Sequence, residues 1–229
     1  QQHLDVSRQL TIDTTPIENT IQQLRLYITT SHHTDFDQTY DAIVSYGEIL
    51  STLIVSRYLT CVGIENQWLD MTQLLTTDDN HREANVDVEN SAVNLRSVIA
   101  QSDNRIFVAQ GFIGGDKYGK PTTLGREGSD YTAAVVANML NAESVTIWKD
   151  VRGVMNADPK LFDNVIHIPE LSYNDAVELA YSGAQIIHPK TIRPIENKGI
   201  PAIINPTNYF RFNYTELFLK TGTVGRRYV

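Results

Sequence analysis

RIFVAQGFIGGDKYGKPTTLGREGSDYTAA, residues 105–134, is the stretch that decides the fold class of this chain. An apolar run typical of a strand ends at Gly111, a glycine-rich turn follows, and a second turn around Gly125 leads directly into a helical pattern. A strand, a loop and a helix in this order form the repeating unit of α/β proteins, in which small ligands bind where the strands end. We therefore expect an α/β fold with a ligand site at this junction.

Further strand-like and helix-like segments alternate through the chain. The strand patterns lie at 61–69, 105–110, 144–148 and 200–204, and the helix patterns lie at 88–100, 130–141, 173–182 and from Pro189 onward. This alternation predicts a layered α/β fold with a largely parallel sheet.

The chain opens with two predicted helices and no predicted strand. Ile17, Ile21, Leu24 and Ile28 recur at helical spacing, and a second helix is predicted at 39–59. Because a doubly wound sheet normally has a strand near each edge of the sequence, we expect strands of this fold to precede the first residue.

Composition narrows the class of protein. The formal net charge of -8 argues against binding to a nucleic-acid backbone or to an anionic membrane, because both attract basic patches. Cys61 is the single cysteine, so no intrachain disulfide forms, and its apolar surroundings predict a buried structural thiol. We find no apolar run long enough to span a bilayer and no signal peptide, so a cytoplasmic location is expected.

The turn before the predicted helix at 130–141 gathers groups that bind anions. Ser129 is predicted to cap the helix, which places Asp130 in its first turn, and Arg126 carries a planar fork that suits a carboxylate or a phosphate. A glycine-rich surface turn is the alternative, but the convergence of three such side chains on a strand–loop–helix junction favours a ligand site. Neither a P-loop nor a G-x-G-x-x-G motif occurs in the chain.

Three other segments carry polar side chains of interest. The strand at 144–148 leads into Lys149 and Asp150, which fits a nucleotide edge or a plain surface connection equally well. His188 is predicted to cap or pack rather than to act as a base. The acidic segment 76–83 matches no metal motif, so a solvated loop is predicted there.

Four segments together resemble the aspartokinases, which are members of the amino-acid-kinase family. They are YGEILST (46–52), GFIG (111–114) followed by TTLGREGSDYTAA (122–134), IWKDVRGVMNADP (147–159) and ELAYSGAQIIHPKTI (178–192). They occur in the family's order and cover most of the chain from Asp41 to Asn205. The resemblance implies a three-layer αβα sandwich around a mostly parallel sheet.

The resemblance also implies roles for individual residues on the aspartate side of the site. Glu48 is similar to the family's acidic contact for the amino group of aspartate. Arg126 is similar to the clamp on the α-carboxylate, with Ser129 beside it. Asp130 is similar to the residue that orders the catalytic groups around the transferring phosphoryl.

On the nucleotide side, six residues fall where the family contacts ATP. They are Lys149, Asp150, Met155, Lys160, Gln185 and Ile186. Mg²⁺ is expected to bridge the ATP phosphates, with no protein ligand set of its own. The reaction implied is transfer of the γ-phosphoryl group of ATP to the side-chain carboxylate of L-aspartate, the first step toward lysine, threonine and methionine, in a protein that forms a homodimer.

The chain departs from the family pattern at several points. The opening Lys-Phe-Gly-Gly segment is missing, Glu127 stands where a glycine is usual, and Gln185 stands where many members have lysine. Residues 1–207 are predicted to form the catalytic domain, whereas 208–229 stay unassigned and no ACT regulatory domain is recognisable.

Three alternatives accompany this interpretation. The first is the kinase half of a bifunctional aspartokinase and homoserine dehydrogenase, which sequence beyond Val229 would decide. A non-catalytic ligand-binding module is supported by Glu127 and the missing first strand, but the retained Glu48, Arg126 and Asp130 speak against it. A kinase for a different small acid on the same fold is disfavoured by the 126–130 run.

Overall fold

The computed structural model describes residues 1–30, 35–150, 153–158, 161–183, 187–207 and 214–218. The chain divides into two compact units, Gln1–Ser129 and Asp130–Val229. Lys160, Gln185 and Ile186, which are three of the predicted nucleotide contacts, lie outside the described residues.

The first unit opens with three helices, α1 (Gln2–Gln9), α2 (Thr15–Thr30) and α3 (Phe36–Cys61). The side chain of Asp35 caps α3 by accepting a hydrogen bond from the backbone N–H of Gln38 at 3.1 Å. Apolar residues of the three-helix region pack together, among them Ile17 on α2 and Leu50 and Ile54 on α3. Both helices predicted for this region are confirmed, and α3 extends past the predicted bounds at each end.

The rest of the first unit consists of four short strands and two helices, and three of the strands contact α3. These are β1 (Gln67–Leu69), α4 (Met71–Leu74), α5 (Val88–Ala100), β2 (Phe107–Ala109), β3 (Ile113–Gly115) and β4 (Pro121–Thr123). Strands β1 and β2 pair in parallel, and β3 and β4 form an antiparallel hairpin. The strand–loop–helix stretch predicted at 105–134 is therefore present, with a hairpin inserted between its strand and its helix.

The second unit is a four-stranded sheet with helices. Its elements are α6 (Gly128–Leu140, which begins at the end of the first unit), β5 (Val145–Lys149), β6 (Glu170–Ser172), α7 (Tyr173–Tyr181), α8 (Pro189–Glu196), β7 (Ala202–Pro206) and β8 (Thr215–Phe218). The strand order is β5-β7-β8-β6, with the β5–β7 and β6–β8 pairs parallel and the β7–β8 pair antiparallel. Alternate residues of β5 and β7, such as Ile147 and Ile204, are buried in the apolar core of this unit.

Four residues of the segment that the sequence left unassigned belong to this sheet. Strand β8 lies between β7 and β6 and carries the fully buried Leu217. Within the described residues, the strands thus form three separate sheets.

Two sequence-based predictions for the region after α3 are wrong. The predicted strand at 61–69 begins only at Gln67, because α3 continues through Cys61 and Gly63, with a φ of 83°, ends the helix in the left-handed conformation. Cys61 is exposed rather than buried, since it lies in the last turn of α3, with its sulfur 3.9 Å from the carbonyl oxygen of Thr11. None of the described helices is long and apolar enough to cross a membrane.

Candidate active site

Glu48 lies in the middle of α3, on a stripe of polar residues along one face of the helix. The stripe consists of Asp41, Ser45, Glu48 and Thr52, spaced four, three and four residues apart. Glu48 is half-buried, and this burial raises the pKa of its carboxyl group above the usual value. A partly desolvated carboxylate interacts more strongly with a cation than one in bulk water.

Thr52 fixes α3 against the strands that precede the glycine-rich loop. Its hydroxyl oxygen accepts hydrogen bonds from Trp68 Nε1 at 3.0 Å and from Gln110 Nε2 at 2.8 Å. Gln110 is buried, and its Oε1 accepts a hydrogen bond from the backbone N–H of Met71 at 2.8 Å. The end of β2 is thereby held one helical turn away from Glu48.

The loop at Gly111 and the start of α6 are in close contact within the first unit. A Cβ atom at Gly111 would lie 2.9 Å from the Cα atom of Ser129, so only glycine allows this approach. Ser129 is in the first turn of α6, which starts one residue earlier at Gly128. The prediction that Ser129 caps the helix is therefore wrong, because the left-handed backbone of Glu127 (φ 57°) ends the preceding turn and starts the helix early.

Arg126 is exposed on the turn between β4 and α6. The turn begins at Gly125, which has a φ of 75°, and the Gly128 N–H donates to the Gly125 carbonyl at 3.2 Å. The guanidinium is therefore carried on a tight turn directly before the helix N-terminus, as the sequence predicts for an anion-binding segment.

Asp41 is a buried carboxylate that the sequence analysis missed. It is fully buried and accepts hydrogen bonds from four donors on the loop at 81–82 and on β4: His81 Nδ1, the Arg82 N–H, the Thr123 N–H and the Thr123 hydroxyl. The signal that could have found it is the polar stripe on α3, since residues that recur at helical spacing share one face of the helix.

Most residues of the segment at 76–83 are exposed, as predicted for a solvated loop, but some of them contact other segments. His81 has only 11% of its side chain exposed because it pairs with Asp41 at 2.9 Å. Asp78 accepts a hydrogen bond from the side chain of Asn85 at 2.7 Å. Within the part of the chain that the structure describes, no group of three or more His, Cys, Asp or Glu residues is placed to hold a metal ion.

In the second unit, Asp130 and Lys149 form an ion pair. Asp130 lies in the first turn of α6 and Lys149 is the last residue of β5, and Lys149 Nζ is 2.6 Å from Asp130 Oδ2. Only 17% of each side chain is exposed. The structure thus brings together two residues that come from different motifs of the sequence.

The end of β5 that carries Lys149 is fixed by the neighbouring strand. The carbonyl oxygen of Lys149 accepts hydrogen bonds from the N–H of Thr207 at 2.7 Å and from its hydroxyl at 2.6 Å. Asp150 follows and is exposed. Met155 is partly buried, and its backbone forms an isolated antiparallel β-bridge with His167. The Lys149 ammonium and the Asp150 carboxylate therefore lie at the carboxyl end of a parallel strand, where α/β proteins bind ligands.

A second lysine contacts the first turn of α6. Lys190 Nζ lies 4.6 Å from the centroid of the Tyr131 ring, and burial raises the pKa of the Tyr131 hydroxyl. These two residues border an open cavity of about 390 Å³ together with His188 and Arg193. His188 caps α8 by accepting a hydrogen bond from the Lys190 N–H at 3.1 Å, which confirms its predicted capping role.

The amino acid kinase family has a sequence model that matches residues 3–205 of this chain. The chain is 35% identical over 182 residues to lysine-sensitive aspartokinase 3 of Escherichia coli, an alignment that covers 79% of this chain and 40% of that protein. It is 40% identical over 167 residues to the bifunctional aspartokinase/homoserine dehydrogenase of Buchnera aphidicola, covering 72% of this chain and 20% of that protein. The resemblance to aspartokinases is confirmed, and the chain spans less than half the length of these relatives.

Solved structures of aspartokinases are similar to this chain over most of its length. Escherichia coli aspartokinase III in complex with aspartate and ADP is 32% identical with a TM-score of 0.81, over 90% of this chain and 46% of that chain. The aspartate kinase of Clostridium acetobutylicum is 25% identical with a TM-score of 0.79, over 97% of this chain and 46% of that one. These similarities confirm the predicted amino-acid-kinase fold.

Proposed function

This chain belongs to the amino acid kinase family, and we propose that it is the catalytic region of an aspartate kinase. The reaction is transfer of the γ-phosphoryl group of ATP to the β-carboxylate of L-aspartate, which yields 4-phospho-L-aspartate. The similarity to aspartokinases supports this proposal, and one of these aspartokinases was solved in complex with aspartate and ADP.

The Asp130–Lys149 ion pair is the single observation that carries the proposal. The resemblance assigns Asp130 to the ordering of the phosphoryl-transfer groups and Lys149 to ATP contact, and the two side chains are 2.6 Å apart. Phosphoryl transfer depends on positioning and on compensation of charge on the phosphoryl oxygens. An ammonium held by a carboxylate at a helix N-terminus is a preorganised group of this kind, and its partial burial strengthens its field.

The first unit supplies groups that fit the charges of L-aspartate. Arg126 suits the α-carboxylate because its fork can bind both oxygens, and the first turn of α6 at Ser129 offers backbone N–H groups to an anion. Glu48 suits the ammonium group because its carboxylate is partly desolvated. Aspartate is already charged at the attacking carboxylate, so its phosphorylation needs no general base.

Magnesium is proposed to act with ATP, where it would neutralise charge on the phosphates. As the resemblance implies, it would be held mainly by the phosphate oxygens of ATP. We further propose a cytoplasmic location and a homodimer for the full-length protein. ATP contacts by Asp150, Met155, Lys160, Gln185 and Ile186 remain predictions from the resemblance.

A bifunctional parent protein is the second candidate, because the relatives include aspartokinase/homoserine dehydrogenases as well as separate aspartokinases. Assaying the full-length natural protein for homoserine dehydrogenase activity separates the two.

The proposal is tested by trapping the acyl phosphate with hydroxylamine in the presence of ATP, Mg²⁺ and L-aspartate. The full-length protein should form aspartyl hydroxamate, and Arg126→Ala should lower kcat/KM for aspartate by roughly a hundredfold. Arg105→Ala is the matched control, since Arg105 is exposed at a distance along the chain from every proposed site residue. A full-length protein without turnover on aspartate, or unchanged aspartate kinetics in Arg126→Ala, would contradict the proposal.

A further inference from the structure

We propose that Asp41 is a positioning residue for aspartate binding, which sets the turn that carries Arg126 relative to the helix that carries Glu48. The inference rests on the proposed aspartate kinase function. It concerns residues of the first unit only, and Asp41 itself does not touch substrate.

The carboxylate of Asp41 is enclosed by hydrogen-bond donors. Asp41 Oδ2 accepts from His81 Nδ1 at 2.9 Å, from the Arg82 N–H at 2.9 Å and from the Thr123 N–H at 3.1 Å. Asp41 Oδ1 accepts from the Thr123 hydroxyl at 2.6 Å. Since a buried charge is stable only when it is fully hydrogen-bonded, these four contacts fix the positions of all three partners.

Both sets of contacts lead to the turn of Arg126. Thr123 is the last residue of β4 and precedes Gly125 by two positions. The turn at Arg82 packs beneath Gly125, because a Cβ atom at Gly125 would lie 3.1 Å from the Arg82 carbonyl oxygen. The N–H of Ala84 also donates to the Thr123 carbonyl at 2.9 Å, which joins the two supports.

The backbone of these turns needs such support. Arg82 has a φ of 70° and Glu127 a φ of 57°, both in the left-handed region that costs energy for residues other than glycine. Strained conformations persist where the surrounding structure over-determines them. Asp41 does this for Arg82 directly, by accepting its backbone N–H.

A carboxylate fits this position better than an amide. Each of the four contacts requires an acceptor at position 41, including Nδ1 of His81, which must carry the proton to donate. An asparagine would keep one oxygen and turn an NH₂ group toward donors, which leaves at least one buried N–H or O–H without a partner.

Because Asp41 lies on α3, it links the turn of Arg126 to the helix of Glu48, and these two residues are the proposed contacts for the substrate L-aspartate. Asp41 and Glu48 are seven residues apart on the same polar stripe, so the contact that holds the Arg126 turn also sets its distance from Glu48. Glu48 and Arg126 are the proposed partners of the ammonium and the α-carboxylate. Loss of Asp41 should therefore weaken aspartate binding without a matching effect on ATP.

The experiment compares Asp41→Asn with Asp37→Asn in the full-length protein. Asp37 is the matched control, because it lies one turn earlier on α3 and pairs with the Arg82 side chain at 3.1 Å while about half exposed. We expect Asp41→Asn to raise KM for aspartate by about tenfold to a hundredfold, because misplacement of about 1 Å has effects of this size. KM for ATP should stay within about twofold of the wild-type value, and Asp37→Asn should resemble the wild type.

A merely structural role predicts a different pattern. Loss of folded protein alone lowers the apparent kcat and leaves both KM values unchanged, and that result in Asp41→Asn would overturn the proposal. If Asp41→Asn does not fold, Thr123→Val decides the question, since it keeps the side-chain shape and removes only the 2.6 Å hydroxyl donor. It should raise KM for aspartate by about threefold to tenfold, and an unchanged KM would overturn the proposal.

Hydrogen–deuterium exchange of residues 122–127 separates this inference from the proposed function, because the measurement needs no substrate. Exchange there should be faster in Asp41→Asn, or in Thr123→Val if the former does not fold, than in Asp37→Asn. If the full-length protein fails to phosphorylate aspartate but shows this exchange pattern, the proposed function is contradicted and the positioning role of Asp41 is supported. Unchanged exchange would sink the positioning role itself.

Discussion

Asp41 in the first unit and Asp130 in the second are two enclosed carboxylates with different surroundings. Asp41 is fully buried, and its four donors, which are distant in sequence, include two backbone N–H groups that cannot move away. Asp130 keeps 17% of its side chain exposed and pairs with the ammonium of Lys149, which stands at the end of a long, rotatable side chain. The first environment holds a backbone in place, whereas the second can respond to a bound anion.

The difference indicates that a carboxylate held by backbone donors positions other residues, whereas one paired with a movable side chain can take part in catalysis. A carboxylate whose acceptor positions are taken by backbone donors contributes to the fold and has little capacity left for a ligand. A carboxylate paired with a lysine at a helix N-terminus keeps a local field that a phosphate can use. The following variants test this division.

Asp130→Asn should have the largest effect. We expect kcat for aspartate phosphorylation to fall by about a hundredfold to a thousandfold, because a preorganised charge at the reacting groups is lost. The melting temperature should change by less than about 3 °C. Glu143→Gln is the control, since Glu143 is exposed just before β5, and a kcat within tenfold of wild type in Asp130→Asn would break the comparison.

Asp41→Asn should lower the stability of the fold more than Asp130→Asn does. The free energy of unfolding should fall by about 2–4 kcal/mol, because buried donors lose their acceptor. This corresponds to a fall of about 5–10 °C in melting temperature, measured by calorimetry. Asp37→Asn should cost less than about 1 kcal/mol, as its ion pair is exposed, and equal losses in the two variants would contradict the distinction.

Glu48→Gln should separate binding from stability at a third carboxylate. It should lower kcat/KM for aspartate by about tenfold or more, because a charged hydrogen bond to the substrate ammonium is lost. In the wild type, KM for aspartate should rise as the pH is lowered and Glu48 takes up a proton, earlier than an ordinary glutamate would because burial raises its pKa. A pH dependence unchanged by the substitution would remove Glu48 from the binding site.

The same pKa shift has a consequence for stability. Because the folded-state pKa of Glu48 lies above its unfolded value, the folded protein binds this proton more tightly and loses stability as the pH rises through the folded-state pKa. Glu48→Gln should therefore melt slightly higher than wild type at neutral pH, and the difference should disappear in acid.

Glu127→Gly should have the smallest effect. Its left-handed φ of 57° suits glycine, so the substitution should raise the free energy of unfolding by about 0.5–1 kcal/mol. Glu65→Gly is the control, because Glu65 is exposed and has no left-handed φ, and there the loss of chain stiffness should destabilise the protein. A loss of stability in both variants would show that the side chain of Glu127 contributes more than its backbone strain costs.

The accuracy of the sequence predictions followed the range of the interactions involved. Helix α5 was predicted at 88–100 and is observed there, because the helical period and the Asp87 cap are local. The cap at His188 was predicted for the same reason. The predicted strand at 61–69 failed because Gly63 fits a helix end as well as a strand interior, and only the packing of α3 distinguishes the two.

The candidate site was predicted in its parts more than in its arrangement. Arg126, Ser129 and Asp130 were recognised from a contiguous run, and Lys149 from the strand that precedes it. Asp41 was not recognised, because its partners His81 and Thr123 are 40 and 82 residues away along the chain. Strand β8 was missed in the unassigned segment because its four residues are too short a pattern to predict alone.

By itself, the sequence determined the family, the order of the main elements and the residue types of the proposed site, because these depend on local periodicity, turn residues and contiguous motifs. Only the tertiary structure decided that Lys149 pairs with Asp130 and that Asp41 is enclosed by donors from two other segments. The physical reason is that a distance between residues far apart in sequence depends on how the whole chain packs, and no local pattern encodes it.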